Sequence, residues 1–376
     1  MASRSSWFDR VILPGFAFKA VVIGGGYATG RELAAFFLPS GPQGGLMAMA
    51  LATVIWSVVA SLTFLFAFDW QARDYRTFFQ RLLGPAWPVF EVAYLAAIVV
   101  ILAVFAAAAG AIGKAVLGAP EIAGSLALMA GIVVAVTAGN AAVERLFKWV
   151  TVFLYAVYAV FVVFCLSRFG SLTLAALAKP QPAPGWVLGG ATYAGYNIIG
   201  AIVILPALRH MRSRRDAVLA GLLAGPFAML PALLFFICMV GFLPQIAGQT
   251  LPSDYMLGRI GLPVFRIVFQ AMIFAALLES GTGAVHAINE RVSKALCDRR
   301  GVGLTRLQRL AITVGVLIAA VFVAGWFGLV ALIAGGYRWL AYVFLAIYVA
   351  PLLVAGASRL WRPAAPLTPN GEELAP

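Results

Sequence analysis

Apolar runs of about 20 residues, separated by short charged or Pro/Gly-rich connections, recur along the whole chain, and that is the length a helix needs to cross the hydrocarbon core of a bilayer. They fall near 11–38, 44–68, 87–112, 121–139, 147–168, 186–208, 217–242, 263–290, 307–324 and 337–357, with a short extra helix expected over 327–335. In lipid each backbone polar group must find its partner within the chain, which restricts such segments to helices. The expectation is an all-α membrane protein of roughly ten transmembrane helices. It forms a single domain over 1–376, with a terminal tail at 358–376. Of the 376 residues, 63% are hydrophobic and 11% charged, so no room remains for a large soluble domain. The first run contains Lys19 and lacks a small-residue cleavage site, so it is taken as a retained span.

The formal net charge of +13 raises the question of a nucleic-acid partner, and its placement answers it. With the N-terminus in the cytoplasm, only Lys114, Arg168, Lys179, Arg259, Arg266 and Arg338 fall on the far side, and Lys19 and Arg31 lie inside the first span. The remaining Lys and Arg residues are cytoplasmic, the bias that orients polytopic proteins. Both termini are therefore expected in the cytoplasm. The basic loops RHMRSRRD (209–216) and ERVSKALCDRR (290–300) suit anionic lipid headgroups, and no nucleic acid is needed. Cys165, Cys238 and Cys297 are odd in number and far apart, and His210 and His286 are the only histidines, so neither a disulfide framework nor a metal centre is expected.

Within the first run, VVIGGGYATGRELAAFFLP carries Gly24, Gly25, Gly26 and Gly30. Each glycine lowers helix propensity by about 1 kcal/mol, so the triplet favours unwound backbone. Backbone freed at membrane depth must be buried in protein or line a polar cavity. Gly24, Gly25, Gly26, Tyr27, Ala28 and Thr29 are thus candidate substrate-binding residues. Close helix packing through Gly26 and Gly30, or a simple kink, are the plainer alternatives. A second glycine-interrupted stretch, GGATYAGYNIIGAIVILP, lies at 189–206 in the sixth run. Five spans per half would bring the two breaks together from opposite sides of the membrane, as in an inverted repeat covering about 11–168 and 186–357.

GGGYATGRELAAFF, ATYAGYNIIG, ESGTGAVHAINERV and GLVALIAGGYRWLAYVF resemble the YkvI-like bacterial membrane proteins. That family is grouped with the amino acid-polyamine-organocation superfamily. The resemblance runs from about Asp9 to Gly356. It implies a LeuT-type five-plus-five fold with discontinuous helices 1 and 6, a place in the bacterial inner membrane, and a substrate carboxylate set against Gly24, Gly25 and Gly26. The Asp-Pro-Gly-Asn tetrad of related divalent-metal transporters is absent from the first span.

A half-helix starting near Ala28 would turn its positive end toward that carboxylate. Tyr193, Tyr196, Asn197 and Gly200 follow helical spacing after the second break, offering ring faces and an amide. In the eighth span Glu279, Thr282, His286 and Glu290 form a polar stripe. Glu279 lies about 16 Å above the cytoplasmic end and Lys19 about 14 Å above Arg10, so a Lys19–Glu279 pair is expected to carry coupling. A purely structural ion pair is the alternative. Ser280 and Thr282 keep a sodium site open beside the proton. Arg31 is placed as an external gate, with Glu32 as its available partner. The chain is expected to be a secondary transporter of a small organic solute, without a resident cofactor, coupled to protons or sodium. A sensor or channel on the same fold is the alternative. A membrane enzyme is disfavoured because no nucleophile–base or metal cluster appears.

Overall fold

The computed structural model describes residues 6–138, 140–179 and 182–356, so the tail at 358–376 lies outside the described residues. The first apolar run is not one helix. It is α1 (Leu13–Val22), preceded by a π-helical turn at Phe8–Ile12, then the single turn α2 (Gly25–Ala28) and α3 (Arg31–Phe36). There follow α4 (Gly41–Asp69), α5 (Tyr75–Leu83), α6 (Trp87–Leu117), α7 (Glu121–Thr137) and α8 (Asn140–Ala178). The second broken run is α9 (Trp186–Asn197) and α10 (Gly200–Val203), with a 3-10 turn over Leu205–His210. The rest is α11 (Arg214–Val240), α12 (Pro252–Ile260), α13 (Pro263–Arg300), α14 (Arg306–Ala331) and α15 (Arg338–Phe344), the last flanked by π-helical turns.

Among the described residues seven helices are long and apolar enough to cross a bilayer. The number is smaller than the count of apolar runs for three local reasons. α1 to α3 are individually short, α7 has 17 residues, and the stretch Arg306–Val354 counts once although it turns sharply. That turn is at Gly328, where φ is 72° and the backbone leaves the helix. The extra helix expected over 327–335 is therefore absent as a separate element: Leu329 onward already belongs to the last ascending segment.

Lipid tails are as apolar as leucine, so helices in a membrane gain by close approach rather than by hydrophobic burial, and small residues permit it. α4 meets α11 in this way. A Cβ added at Gly221 would stand 2.3 Å from the Ser61 backbone, and one at Gly225 would stand 2.4 Å from Ser57 Oγ. The serines use the approach: Ser57 Oγ donates to Leu222 O at 2.9 Å and Ser61 Oγ to Val218 O at 3.1 Å. α6 and α7 repeat the device, with Gly124 against the Ala109 carbonyl and Ser125 Oγ donating to Ala106 O at 2.7 Å. The scaffold is thereby fixed around the two broken runs.

The two ends of the bundle differ. One end is basic and ion-paired, joining Arg10 to Asp216, Arg214 to Asp69 and Arg291 to Glu91. There the Arg291 guanidinium lies between the Tyr75 and Tyr94 rings, 3.6 and 3.7 Å from their centroids. The other end carries the pairs Arg266–Asp254 and Lys114–Glu121 and is covered by residues 245–260 as a lid, the 3-10 turn Gln245–Gly248 packing on α3 and α12 on α8 and α13.

Candidate substrate and coupling site

The first break is centred on Ile23 and Gly24. Ile23 has ψ 74°, Gly24 is extended, and the Gly24 amide turns back to the Val22 carbonyl at 3.0 Å. A second interruption follows at Gly30, whose φ of 77° is the left-handed conformation glycine adopts at no steric cost. Between them α2 is one turn only, so the expectation of a half-helix projecting its dipole from near Ala28 is corrected: the aligned peptides are too few to sum to a large end charge. A Cβ on Gly24 would lie 3.7 Å from both Phe105 and Ser280 Oγ, which places this backbone between α6 and α13.

The second break is gentler and later than its sequence pattern implied. Thr192 to Asn197 remain helical, so Tyr193, Tyr196 and Asn197 precede the interruption rather than follow it. Hydrogen bonding then tightens to i−3, from Ala201 to Ile198 and from Ile202 to Ile199. The Asn197 amide is directed to its own helix, donating to the Tyr193 carbonyl at 3.1 Å. The two broken runs meet along their length: a Cβ at Gly200 would meet the Phe18 ring at 3.1 Å, Phe36 and Phe37 pack on Tyr193 and Tyr196, and Tyr196 Oη donates to a Glu32 carboxylate oxygen.

Tyr27 is buried, with its hydroxyl 3.3 Å from that of Tyr158, which in turn donates to the Pro231 carbonyl at 2.6 Å. Ala28 and Thr29 are buried beneath the lid. Tyr193 is fully buried, and its hydroxyl has no hydrogen-bond partner. The void bordered by Ile23, Tyr27, Ala28, Leu154, Tyr155, Tyr158, Pro231 and Met272 measures about 10 Å³, room for roughly one water. The crossing is closed in this conformation.

Among the described residues Lys19 and Glu279 form no ion pair, which corrects the direct contact expected from their matching depth. Each reaches α8 instead. Lys19 Nζ lies 4.4 Å from the Tyr155 ring centroid, and Glu279 accepts from Thr151 Oγ1 at 3.4 Å, one turn away. Both are partly exposed, as is Tyr155. Both therefore sit, partly exposed, where α1 and α13 flank α8, and a charge at that depth is stable only if water reaches it. Ser280 is on the Gly24 side of α13. Thr282 is fully buried with an unpartnered hydroxyl, His286 is half-buried, and Glu290 pairs with Arg309, so the polar stripe is not one site.

Arg31 does not pair with Glu32. Its guanidinium donates to the Ala247 carbonyl at 3.0 Å and to the Gln249 carbonyl at 2.8 Å, tying α3 to the lid. Residues the sequence pattern did not bring forward are Tyr155 and Tyr158 within a long apolar helix and Tyr337, while Glu32 was brought forward only as a partner for Arg31. Only Glu32 carried a visible signal, a carboxylate four residues before FFLP in an apolar run.

No family model and no curated protein matches the chain. Its backbone is similar to that of MhsT solved with L-phenylalanine, with a TM-score of 0.60 and 17% identity over 94% of this chain and 87% of that one. The fold is of the LeuT type. The Eremococcus coleocola manganese transporter, solved with an aromatic bis-isothiourea compound, gives 0.56 and 14% over 90% and 77%. A single-residue mutant of the same transporter gives 0.51 and 16% over the same shares. At these identities the similarity establishes how the chain folds.

Proposed function

We propose that this protein is a secondary active transporter of a small organic solute, an amino acid or amine, driven by a proton or sodium gradient. The observation that carries the reading is the asymmetric closure around the paired breaks. On one side the lid is bonded to the unwound backbone and to Arg31; on the other, Lys19 and Glu279 are partly exposed charges held against α8. A site sealed on one face and bordered by partly exposed charges on the other fits one end-state of alternating access.

The amino acid held by MhsT, the first similar structure, favours an amino acid here, received by Gly24, Gly25 and Gly26 with Tyr27, Ala28, Thr29, Tyr193, Tyr196 and Asn197 around it. Lys19, Glu279, Ser280, Thr282 and His286 supply the coupling region and Arg31 the lid-side gate. The same reading takes the chain as YkvI-like, in the amino acid-polyamine-organocation superfamily, with ten spans in a five-plus-five inverted repeat. The basic end faces the cytoplasm of a bacterial inner membrane and its anionic lipids.

The test is a thermal-shift screen of the purified chain against amino acids, amines and nucleobases, followed by counterflow of each stabilising compound in proteoliposomes. Counterflow that exceeds empty liposomes supports the reading. Stabilisation without counterflow makes the protein a sensor.

A further inference from the structure

Glu32 is 5% exposed, at the point where the two broken runs meet on the lid side. Among the described residues its carboxylate accepts one hydrogen bond, which Tyr196 Oη donates. Among the described residues no Lys, Arg or His forms an ion pair with it. The elements packed against α3 bring it only neutral groups: Tyr27 from α2, Tyr193 and Tyr196 from α9, and Tyr337 from the turn at Leu332–Tyr337. The turns Leu38–Ser40 and Gln245–Gly248 contribute no charged side chain. The aromatic wall is continuous, with the Tyr196 ring stacked on Tyr337 at 4.5 Å and edge-on to Tyr193 at 5.6 Å. Arg31, adjacent in the chain, is turned away to two lid carbonyls, and its Nε is buried without an acceptor.

An ionised carboxylate in such a place, desolvated and met by one hydroxyl, costs several kcal/mol. We propose that Glu32 is a proton-binding site that carries a proton while the lid is closed and exchanges it for Arg31 as counter-charge when the lid opens. Lifting residues 245–260 removes both carbonyl acceptors from the Arg31 guanidinium and admits water to α3. The Glu32 carboxyl then passes its proton to that water, and the carboxylate left behind pairs with the freed guanidinium. Closure reverses the exchange: the lid carbonyls reclaim Arg31, and Glu32 takes a proton from the lid-side solution before Tyr196 seals it. One proton is thereby loaded per closure. The tyrosine that senses it belongs to the second broken run, so protonation state is transmitted directly to α9. The role in a cycle rests on the transporter reading; the proton site itself does not.

Infrared spectroscopy of the purified full-length protein, with the proton as the only ligand, tests this. At neutral pH the wild type should show the carbonyl stretch of a protonated carboxyl group that Glu32→Gln loses. Tyr196→Phe should keep the band and move it to higher wavenumber, because the hydrogen bond to the carboxyl is gone. Arg31→Gln should retain the band to higher pH than the wild type even though its lid opens more readily, because water alone stabilises the buried carboxylate less than the guanidinium that replaces the proton in the wild type. Identical spectra for wild type and Glu32→Gln would overturn the site. Should Glu32→Gln not fold, an unmoved band in Tyr196→Phe would overturn it equally, and an unchanged titration in Arg31→Gln would remove the exchange with Arg31. Because no solute is involved, a band present in a protein that shows no counterflow would overturn the transport cycle while leaving the proton site in place.

Discussion

The Ser253 amide donates to the Thr29 carbonyl at 3.0 Å, so the lid is hydrogen-bonded to the unwound backbone itself rather than resting on side chains. Gly30 makes the approach possible, since a Cβ there would stand 2.6 Å from Phe235 and 3.2 Å from Pro252. Together with Arg31, this ties the lid to the first broken run on both sides of Gly30.

Arg31→Gln should therefore loosen the lid selectively. Two hydrogen bonds from a charged donor are lost, a destabilisation of about 3 kcal/mol if the freed carbonyls stay dry and less if water reaches them. Hydrogen–deuterium exchange should rise across 245–260 and stay near the wild-type level in α4 and α11. Uniformly faster exchange would show a global loss of stability rather than an unlatched lid.

The first break was legible because three consecutive glycines in an apolar run have a direct backbone consequence. The second was located within a few residues but on the wrong side of Tyr193 and Tyr196, because aromatic packing against Phe36, Phe37 and Trp56 holds the helix through Asn197. What no local pattern could show is pairing over distance. Glu32 and Tyr196 are 164 residues apart, and matching depths set Lys19 and Glu279 at one level without revealing that Tyr155 stands beside Lys19. The lid was illegible for another reason: 245–260 is polar and short, and reads as a connection.

Gly221→Ala should be costly and Gly315→Ala should not. The added methyl at 221 meets backbone atoms of Ser61 at 2.3 Å, which cannot rotate away, so α4 and α11 must separate and lose the serine hydrogen bonds. A loss of about 2–3 kcal/mol is expected. Nothing lies within 4 Å of the added atom at 315, and the helix gains up to about 1 kcal/mol of propensity. Melting temperatures in one detergent would decide, and equal shifts for the two variants would refute the packing argument.

Asp74 caps α5 at the basic end, accepting from the Thr77 amide at 3.0 Å and the Thr77 hydroxyl at 2.7 Å. Partial burial pushes its pKa up, but those two bonds, with Lys294 nearby, outweigh burial and leave it below the ordinary value of 3.8. A depressed carboxylate contributes stability above its unfolded value, and the contribution goes as pH falls through the folded value. Asp74→Ala should cost about 1 kcal/mol at neutral pH for the lost cap. The gap between wild type and Asp74→Asn should narrow only below about pH 4. A gap that changed near neutrality would point to a different titrating group.

The last expectation concerns Lys19. Its nearest polar-faced neighbour is the Tyr155 ring, while Glu279 touches α8 at Thr151. A double-mutant cycle on unfolding should therefore give a coupling of roughly 1 kcal/mol for Lys19→Met with Tyr155→Leu, the size of a partly desolvated cation–π contact. Lys19→Met with Glu279→Gln should be additive to about 0.5 kcal/mol, because the two charges do not touch and both are partly exposed. The same variants separate structure from coupling in transport. If Lys19 and Glu279 carry the coupling, Glu279→Gln should abolish gradient-driven uptake yet keep counterflow, since exchange needs no net ion movement. Strong non-additivity between Lys19 and Glu279 would instead mean that the pair closes directly in another state of the cycle. Gradient-driven uptake that survives Glu279→Gln would take coupling away from this residue and leave it to Glu32.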